Sequence, residues 1–295
     1  MLNLEHLKTY ALIVQTGSFS AAAARLGLSQ PAVSLQMKQL EAAVKARLIE
    51  RVGRNIKPTP AGLELLGHSE RVMGAVDGLL TAMATHSAEA KGRVSLGSGA
   101  TACLYFLPNA LQMLRKRFPN VHVLVRTGNT VDFVRAVEDN ALDMALVTLP
   151  VRSRALATIE LMDDEFVALA PARGPALPAR VTPATLAQRD LLLFEPASNT
   201  RLLIDDWFRA GGHKPVPVME LGSVEAIKGM VAAGLGSSIV PKMALPSKIA
   251  GLRVAPLAPR LSRKLALILR KDKPVNRALG EVIEAVRAHA KPKKN

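Results

Sequence analysis

The chain is poor in the side chains from which most active sites are built. One cysteine, Cys103, in 295 residues makes an intrachain disulfide impossible and leaves neither a thiolate metal cluster nor a CxxC redox pair, which fits a reducing cytoplasm. The six histidines, His6, His68, His86, His122, His213 and His289, are scattered, with no pair four residues apart to hold a metal. No G-x-S-x-G elbow offers a nucleophilic serine. Long apolar runs are missing as well. The N-terminal region has only Ala11 to Val14, preceded by acidic Glu5, and nothing approaches the roughly 18 to 20 apolar residues that span a bilayer. The expectation is a cytoplasmic protein that is not an enzyme and uses no membrane, metal or cofactor.

What the chain has in excess is positive charge. Its 39 Lys and Arg exceed 24 Asp and Glu by 15, and clustered cations bind a polyanion by releasing its condensed counterions. Residues 1–60 carry eight basic and three acidic side chains, so about a third of the excess lies in a fifth of the chain. The length accommodates a small domain followed by a larger α/β region.

In that first segment, Leu4, Leu7, Ala11 and Val14 recur at helical spacing until Thr16-Gly17. Ser18 can cap a second short helix through Ala21 to Leu26, which Gly27 terminates. Ser29 can cap a third, with Pro31 in the first turn, where a missing N–H costs little. Two helices across a tight turn make a helix-turn-helix. The third helix would bury Val33, Met37, Leu40 and Val44 and leave Gln30, Ser34, Leu35 and Lys38 free for a DNA major groove. Leu48 to Val52 and Asn55 to Lys57 can pair around Gly53-Arg54 as a basic wing, setting Arg51, Arg54 and Lys57 near the phosphates.

Ser18-Phe19-Ser20-Ala21-Ala22-Ala23, Leu28-Ser29-Gln30-Pro31-Ala32-Val33-Ser34, Leu40-Glu41, Leu48, Glu50-Arg51 and Thr59-Pro60-Ala61-Gly62, all in one frame, resemble the signature of LysR-type transcriptional regulators. Lys45 stands where members often carry Gly, and Ile49 where they often carry Phe. The resemblance implies a DNA face at Ser29, Gln30, Pro31 and Ser34. Leu35 occupies a position that is often basic and could touch a thymine methyl. Double-stranded promoter DNA, a small-molecule effector and RNA polymerase are the implied partners.

Thr59 can cap a long helix in which Leu66, Met73 and Leu80 repeat every seven residues, with Val76 and Met83 beside them. Such a seam suits dimerisation, because paired recognition helices must be held about one DNA turn apart. LysR-type proteins pair through a similar helix and commonly form tetramers, so a homodimer or homotetramer is implied. Residues 61–91 form this linker, and Ala88 to Gly92 reads as a polar hinge.

From Arg93, apolar runs alternate with helical patterns: Val94-Leu96, Leu104-Phe118, Val121-Val125, Val131-Asn140 and Met144-Val147, then Phe166-Leu169, Leu191-Phe194, Leu202-Arg209, Val216-Met219, a helix from Val224, Leu265-Leu269, and a last helix near Asn276-Ala290. The alternation predicts parallel α/β layers. The fold class expected is α/β multidomain: a winged helix-turn-helix (1–60), a linker helix, and a two-lobed effector domain similar to periplasmic binding proteins. By that likeness the chain crosses between lobes near Asp163 and Arg270, giving lobe I as 92–163 with 270–295 and lobe II as 164–269.

Ligands of open α/β sheets sit beyond the carboxyl ends of strands, where helix N-termini offer free N–H groups. Those ends supply Ser98, Thr101, Asn129, Thr148, Asn199, Thr200 and Ser223 as candidate effector contacts. Thr101 and Asn129 match effector-contacting positions of the family, with helix capping as their alternative role. A small anionic metabolite is the expected ligand. Three other readings compete. Gly97-Ser98-Gly99-Ala100-Thr101-Ala102 fits a dinucleotide motif, yet no acidic residue for a ribose occurs from Leu104 through Val131. A transported-solute receptor would share the lobes but not residues 4–57. Cys103 could sense redox state, but it has no resolving partner.

Overall fold

The N-terminal helices form where the sequence supplies caps at both ends, as seen in a computed structural model that describes residues 2–52, 55–84, 91–196, 198–245 and 250–290. Helix α1 (Leu4–Thr16) starts with the Asn3 side chain accepting from the Glu5 amide and ends at Gly17, whose φ of 64° is the left-handed turn that favours glycine. Helix α2 (Phe19–Leu26) is capped by Ser18, and α3 (Gln30–Val44) by Ser29. The buried stripe of α1 is Leu7, Tyr10 and Ile13, with Leu4 exposed; Ala11 and Val14 are half-buried rather than central. In α3, Val33, Met37 and Leu40 are buried and Val44 is half-buried. Lys45 closes α3 at a φ of 53°, so a non-glycine side chain bears the left-handed conformation there.

Strands β1 (Ile49–Val52) and β2 (Asn55–Pro58) pair antiparallel as the wing. Leu48 lies just before the ribbon and is buried, and its amide donates to Glu41 Oε1 at 2.8 Å, which anchors the wing to α3. Thr59 then caps α4 (Pro60–Ala84), accepting from the Gly62 amide at 3.0 Å. In α4, Leu66, Met73 and Val76 are half-buried. The side chains of Leu80 and Met83 and most of the expected hinge lie outside the described residues, as do Arg54, Ala197, Lys291, Lys293 and Lys294.

Two compact units result, residues 1–80 and 81–295. In the second, the chain runs β3 (Gly92–Ser98), α5 (Ala100–Tyr105), α6 (Leu107–Arg117), β4 (Val121–Thr127), α7 (Thr130–Glu138), β5 (Met144–Thr148) and β6 (Leu156–Pro171). It continues through α8 (Pro183–Ala187), β7 (Leu192–Phe194), α9 (Asn199–Ala210), β8 (Met219–Leu221), α10 (Val224–Ala232), β9 (Ser238–Pro241), β10 (Leu252–Pro256), β11 (Ser262–Arg270) and α11 (Arg277–Ala290). Strand order is β10-β6-β11-β5-β3-β4, with β9 also on β6, and β7 pairs β8 separately.

Strand β6 belongs to both lobes. It pairs with β11 through Glu165 and with β9 from Phe166 onward. In the first lobe, Met144 and Leu146 of β5 face a core with α6 and α11, while Ala145 and Val147 face a second core with α7. The second lobe gathers around Leu169, Leu193, Ile204, Phe208 and Ile227.

Three expectations are corrected. The layers are mixed, because β11 runs antiparallel to both β5 and β6. The return to the first lobe is not near Arg270: Leu265, Leu267 and Leu269 pack in the first core and β11 pairs with β5, so the chain has already crossed back by Ser262, and 262–269 leave lobe II. Val216 to Met219 is not a strand over its length; Val216 is 84% exposed, and the strand is β8, beginning at Met219.

Candidate DNA interface and ligand cleft

On α3, the buried stripe turns Ser29, Gln30, Pro31, Leu35 and Lys38 outward and leaves Ser34 half-buried. Gln30 Nε2 donates to Ser34 Oγ at 2.9 Å, which presents an amide and a hydroxyl together on one turn. Ser29 spends its hydroxyl on the cap, accepting from the Ala32 amide at 3.4 Å. Leu35 is 56% exposed, an apolar contact amid polar ones. The helix is fixed from behind, where Thr9 donates to Gln36 Oε1 at 2.6 Å.

The wing distributes its cations over two faces. The register sets Lys57 opposite Glu50 and Arg51 opposite Ile56, so Lys57 and Arg51 lie on opposite sides of the ribbon, both exposed.

In the second unit, a cavity of about 140 Å³ opens between the lobes, beyond the ends of β3 and β5. Thr101, Asn129, Thr148, Asn199 and Thr200 line it. Ser98 does not; it is fully buried and donates to the Gly99 carbonyl. Ser223 does not either; it caps α10, accepting from the Glu225 amide, and leaves the lining to its neighbours Gly222 and Val224. Asn129 lines the cleft and also caps α7 through a 3.0 Å bond from the Asp132 amide, so its two roles coincide. Thr130 Oγ1 accepts from the Thr148 amide at 3.4 Å, tying the floor of the cleft to α7. The starts of α5, α7, α9 and α10 thus converge on one small volume.

The first glycine of the dinucleotide-like motif has a packing explanation, whereas a Cβ on the second, Gly99, would meet nothing within 4 Å. A Cβ on Gly97 would sit 2.6 Å from the Phe133 ring, so the residue makes room for α7 against the sheet.

Sequence reasoning missed Arg263. It lies at the start of β11, lines the cavity and is almost wholly buried. Its Nε donates to Asp164 Oδ2 at 3.0 Å and its Nη1 to Thr200 Oγ1 at 3.2 Å, while Asp164 Oδ1 accepts the Met243 amide at 3.1 Å. Burial pushes the Asp164 carboxyl up and the Arg263 guanidinium down, and their mutual attraction works against both shifts. Only folding brings these residues, 99 positions apart, into contact, and no local spacing signals it. Nearby, Arg201 of α9 binds Asp205, Glu220 and the Phe194 carbonyl; burial lowers its pKa, but the two carboxylates outweigh that and raise it.

Among the described residues no cluster could hold a metal, and no helix is long and apolar enough to cross a membrane. Cys103 is half-buried on α5 with a free thiol.

Comparison with known proteins bears on both units. Residues 4–63 match the family described as bacterial regulatory helix-turn-helix protein, lysR family, and residues 87–291 match the LysR substrate binding domain. The chain is 35% identical over 254 residues to the HTH-type transcriptional regulator CbbR of Xanthobacter flavus, covering 85% of this chain and 76% of the relative. Full-length OxyR from Pseudomonas aeruginosa superposes with a TM-score of 0.71 at 25% identity, over 97% of this chain and 95% of that one. Full-length CbnR, solved in complex with its target DNA, shares the fold with a TM-score of 0.75 at 21% identity, over 98% and 100% of the two chains.

Proposed function

The chain belongs to the LysR family of transcriptional regulators, and from that membership we propose that its cleft binds a small anion held by helix N-termini and Arg263. As a LysR-type regulator it binds DNA through the winged helix-turn-helix and carries an effector-binding domain.

On the DNA side the reading assigns Gln30, Ser34, Leu35 and Lys38 to base edges, Ser29 and Pro31 to the entry of the helix into the groove, and Arg51, Arg54 and Lys57 to phosphates. Two copies joined through α4 would read a two-fold promoter site, with pairs of dimers as the larger assembly and RNA polymerase as the further partner. On this reading the protein has no enzymatic activity and works in the cytoplasm, and closure of its lobes alters the spacing or bend of bound DNA.

One observation carries the effector assignment: four helix starts and a buried guanidinium converge on about 140 Å³. Helix N-termini favour negative charge, and a cavity near 150 Å³ accommodates a molecule of about benzene's size. Calorimetric titration of the full chain with carboxylates of about three to six carbons, against their primary amides, tests it. Carboxylates are expected to bind more tightly; equal or tighter binding of the amides rejects the anion assignment.

A further inference from the structure

Most of the chain's positive charge lies outside the unit that reads DNA. Residues 1–80 carry nine basic and six acidic side chains, whereas residues 81–295 carry 30 and 18, so 12 of the excess of 15 belongs to the effector-binding unit. The distribution there is uneven. Residues 90–131 contain six Lys or Arg and no Asp or Glu.

Five of those six meet at one end of the first lobe. Helix α6 finishes with Arg115, Lys116 and Arg117. The short turn after it reaches Asn120, whose carbonyl accepts from the Gly92 amide at 3.3 Å. Lys91 and Arg93 flank Gly92, and Arg93 stands opposite His122 in the parallel register of β3 and β4. All five cations are exposed, and among the described residues none has an acidic partner. Some exposed cations elsewhere in the unit do have one, such as Arg209 with Asp206, Lys264 with Glu160 and Arg287 with Glu284, whereas Arg173, Arg180 and Lys214 are unpaired among the described residues but lie apart from one another in the sequence.

The α6 dipole favours cations in its last turn, which accounts in part for Arg115 to Arg117. It gives no reason for Lys91 and Arg93, which sit at a strand start, nor for the missing acids, since protein surfaces ordinarily mix both signs. Like charges gathered at one end of a lobe without acids between them add to a local field of one sign, which reaches about a Debye length, roughly 8 Å, into solvent. The chemistry that matches such a field is a phosphate row, and duplex DNA presents about one charge per 1.7 Å.

We propose that this end of the effector-binding unit, formed by Lys91, Arg93, Arg115, Lys116 and Arg117, is a second DNA contact that engages backbone phosphates flanking the recognition site without reading sequence. It rests on the family's DNA-binding function and is independent of the effector assignment.

The test neutralises Arg115→Gln, Lys116→Gln and Arg117→Gln together in the full chain. The control, Arg173→Gln, Arg180→Gln and Lys214→Gln, removes the same charge from exposed positions in the second lobe. Binding is measured against salt on a duplex selected by the wild-type protein from a random pool, with about 20 flanking base pairs, roughly 70 Å, on each side. At about 0.9 per phosphate contact, the slope of log K against log salt is expected to fall by about 2 to 3 for each protomer in contact, while the control keeps the wild-type slope. An unchanged slope, or an equal fall in both variants, overturns the proposal. If the α6 variant melts below the wild type, Lys91→Gln with Arg93→Gln, on a different element, decides by the same criterion with an expected fall of about 2.

Discussion

Tyr10 concentrates the energetics of the winged helix in one atom. The side chain is fully buried and its hydroxyl has no hydrogen-bond partner among the described residues, and burial pushes its pKa up to about 12. The folded state therefore holds the phenol proton more tightly than the unfolded chain does. That contribution is intact below pH 10 and is lost as pH rises from 10 through about 12. Tyr10→Phe removes a desolvated hydroxyl, so it should stabilise the unit by about 1 kcal/mol at neutral pH in urea denaturation and flatten the alkaline loss. Unchanged alkaline behaviour would assign the pH dependence to another group. Gly62 is the counterpart across the packing. A Cβ there would fall 2.1 Å from the Leu48 carbonyl oxygen and 2.5 Å from the Tyr10 hydroxyl. Gly62→Ala should therefore cost more than about 2 kcal/mol in the same measurement. The Thr-Pro-Ala-Gly pattern was legible in the sequence, but the reason for its glycine is a tertiary approach that spacing does not encode.

At the scale of elements, legibility followed local chemistry. Ser18, Ser29 and Thr59 cap helices where the sequence puts them, because a cap needs only its own next turn. Reading failed where distant partners decide. The helical run from Leu104 to Phe118 breaks at Phe106, which is buried in the first-lobe core between α5 and α6. Only four residues of the sixteen-residue β6 stood out, because its first half alternates and then carries Asp163, Asp164 and Glu165, acids that look like a loop. Asp164 is tolerated in the strand because Arg263 meets it across the ladder. The recognition helix and wing lead to a paired prediction. Gln30→Ala should cost about 1 to 3 kcal/mol of discrimination between cognate and mismatched sites while nonspecific affinity holds. Lys57→Ala should weaken all sequences and lower the salt slope by about 0.9. A salt-dependent gel-shift series with the two effects reversed would remove the contact assignment.

At the scale of the molecule, the two lobes of the effector-binding unit are joined by β6 and β11, and Arg263 and Leu265 of β11 also line its cleft. Asp164 and Arg263 sit where β6 and β11 cross, with Thr200 of the second lobe on the same guanidinium. A second link spans the lobes, since Lys228 of α10 donates to Tyr105 of α5 at 2.6 Å and to the Ala244 carbonyl at 2.9 Å. The family resemblance implied two lobes, and alternation of strands and helices implied their α/β layers. Neither could show that the junction of the lobes is charged, because the pair is built from residues that each look like surface polars. A buried ion pair contributes little net stability relative to an apolar pair of similar volume, yet removing one partner strands the other. Arg263→Met alone should thus cost about 3 to 5 kcal/mol, while Arg263→Met with Asp164→Leu should recover most of that loss in denaturant unfolding. If the pair serves only the junction of the lobes, the double variant should keep the wild-type preference for carboxylates over amides. If Arg263 holds the ligand's charge, the restored fold should bind both classes alike. Calorimetry on the double variant separates the two, because its stability no longer masks the loss of the guanidinium.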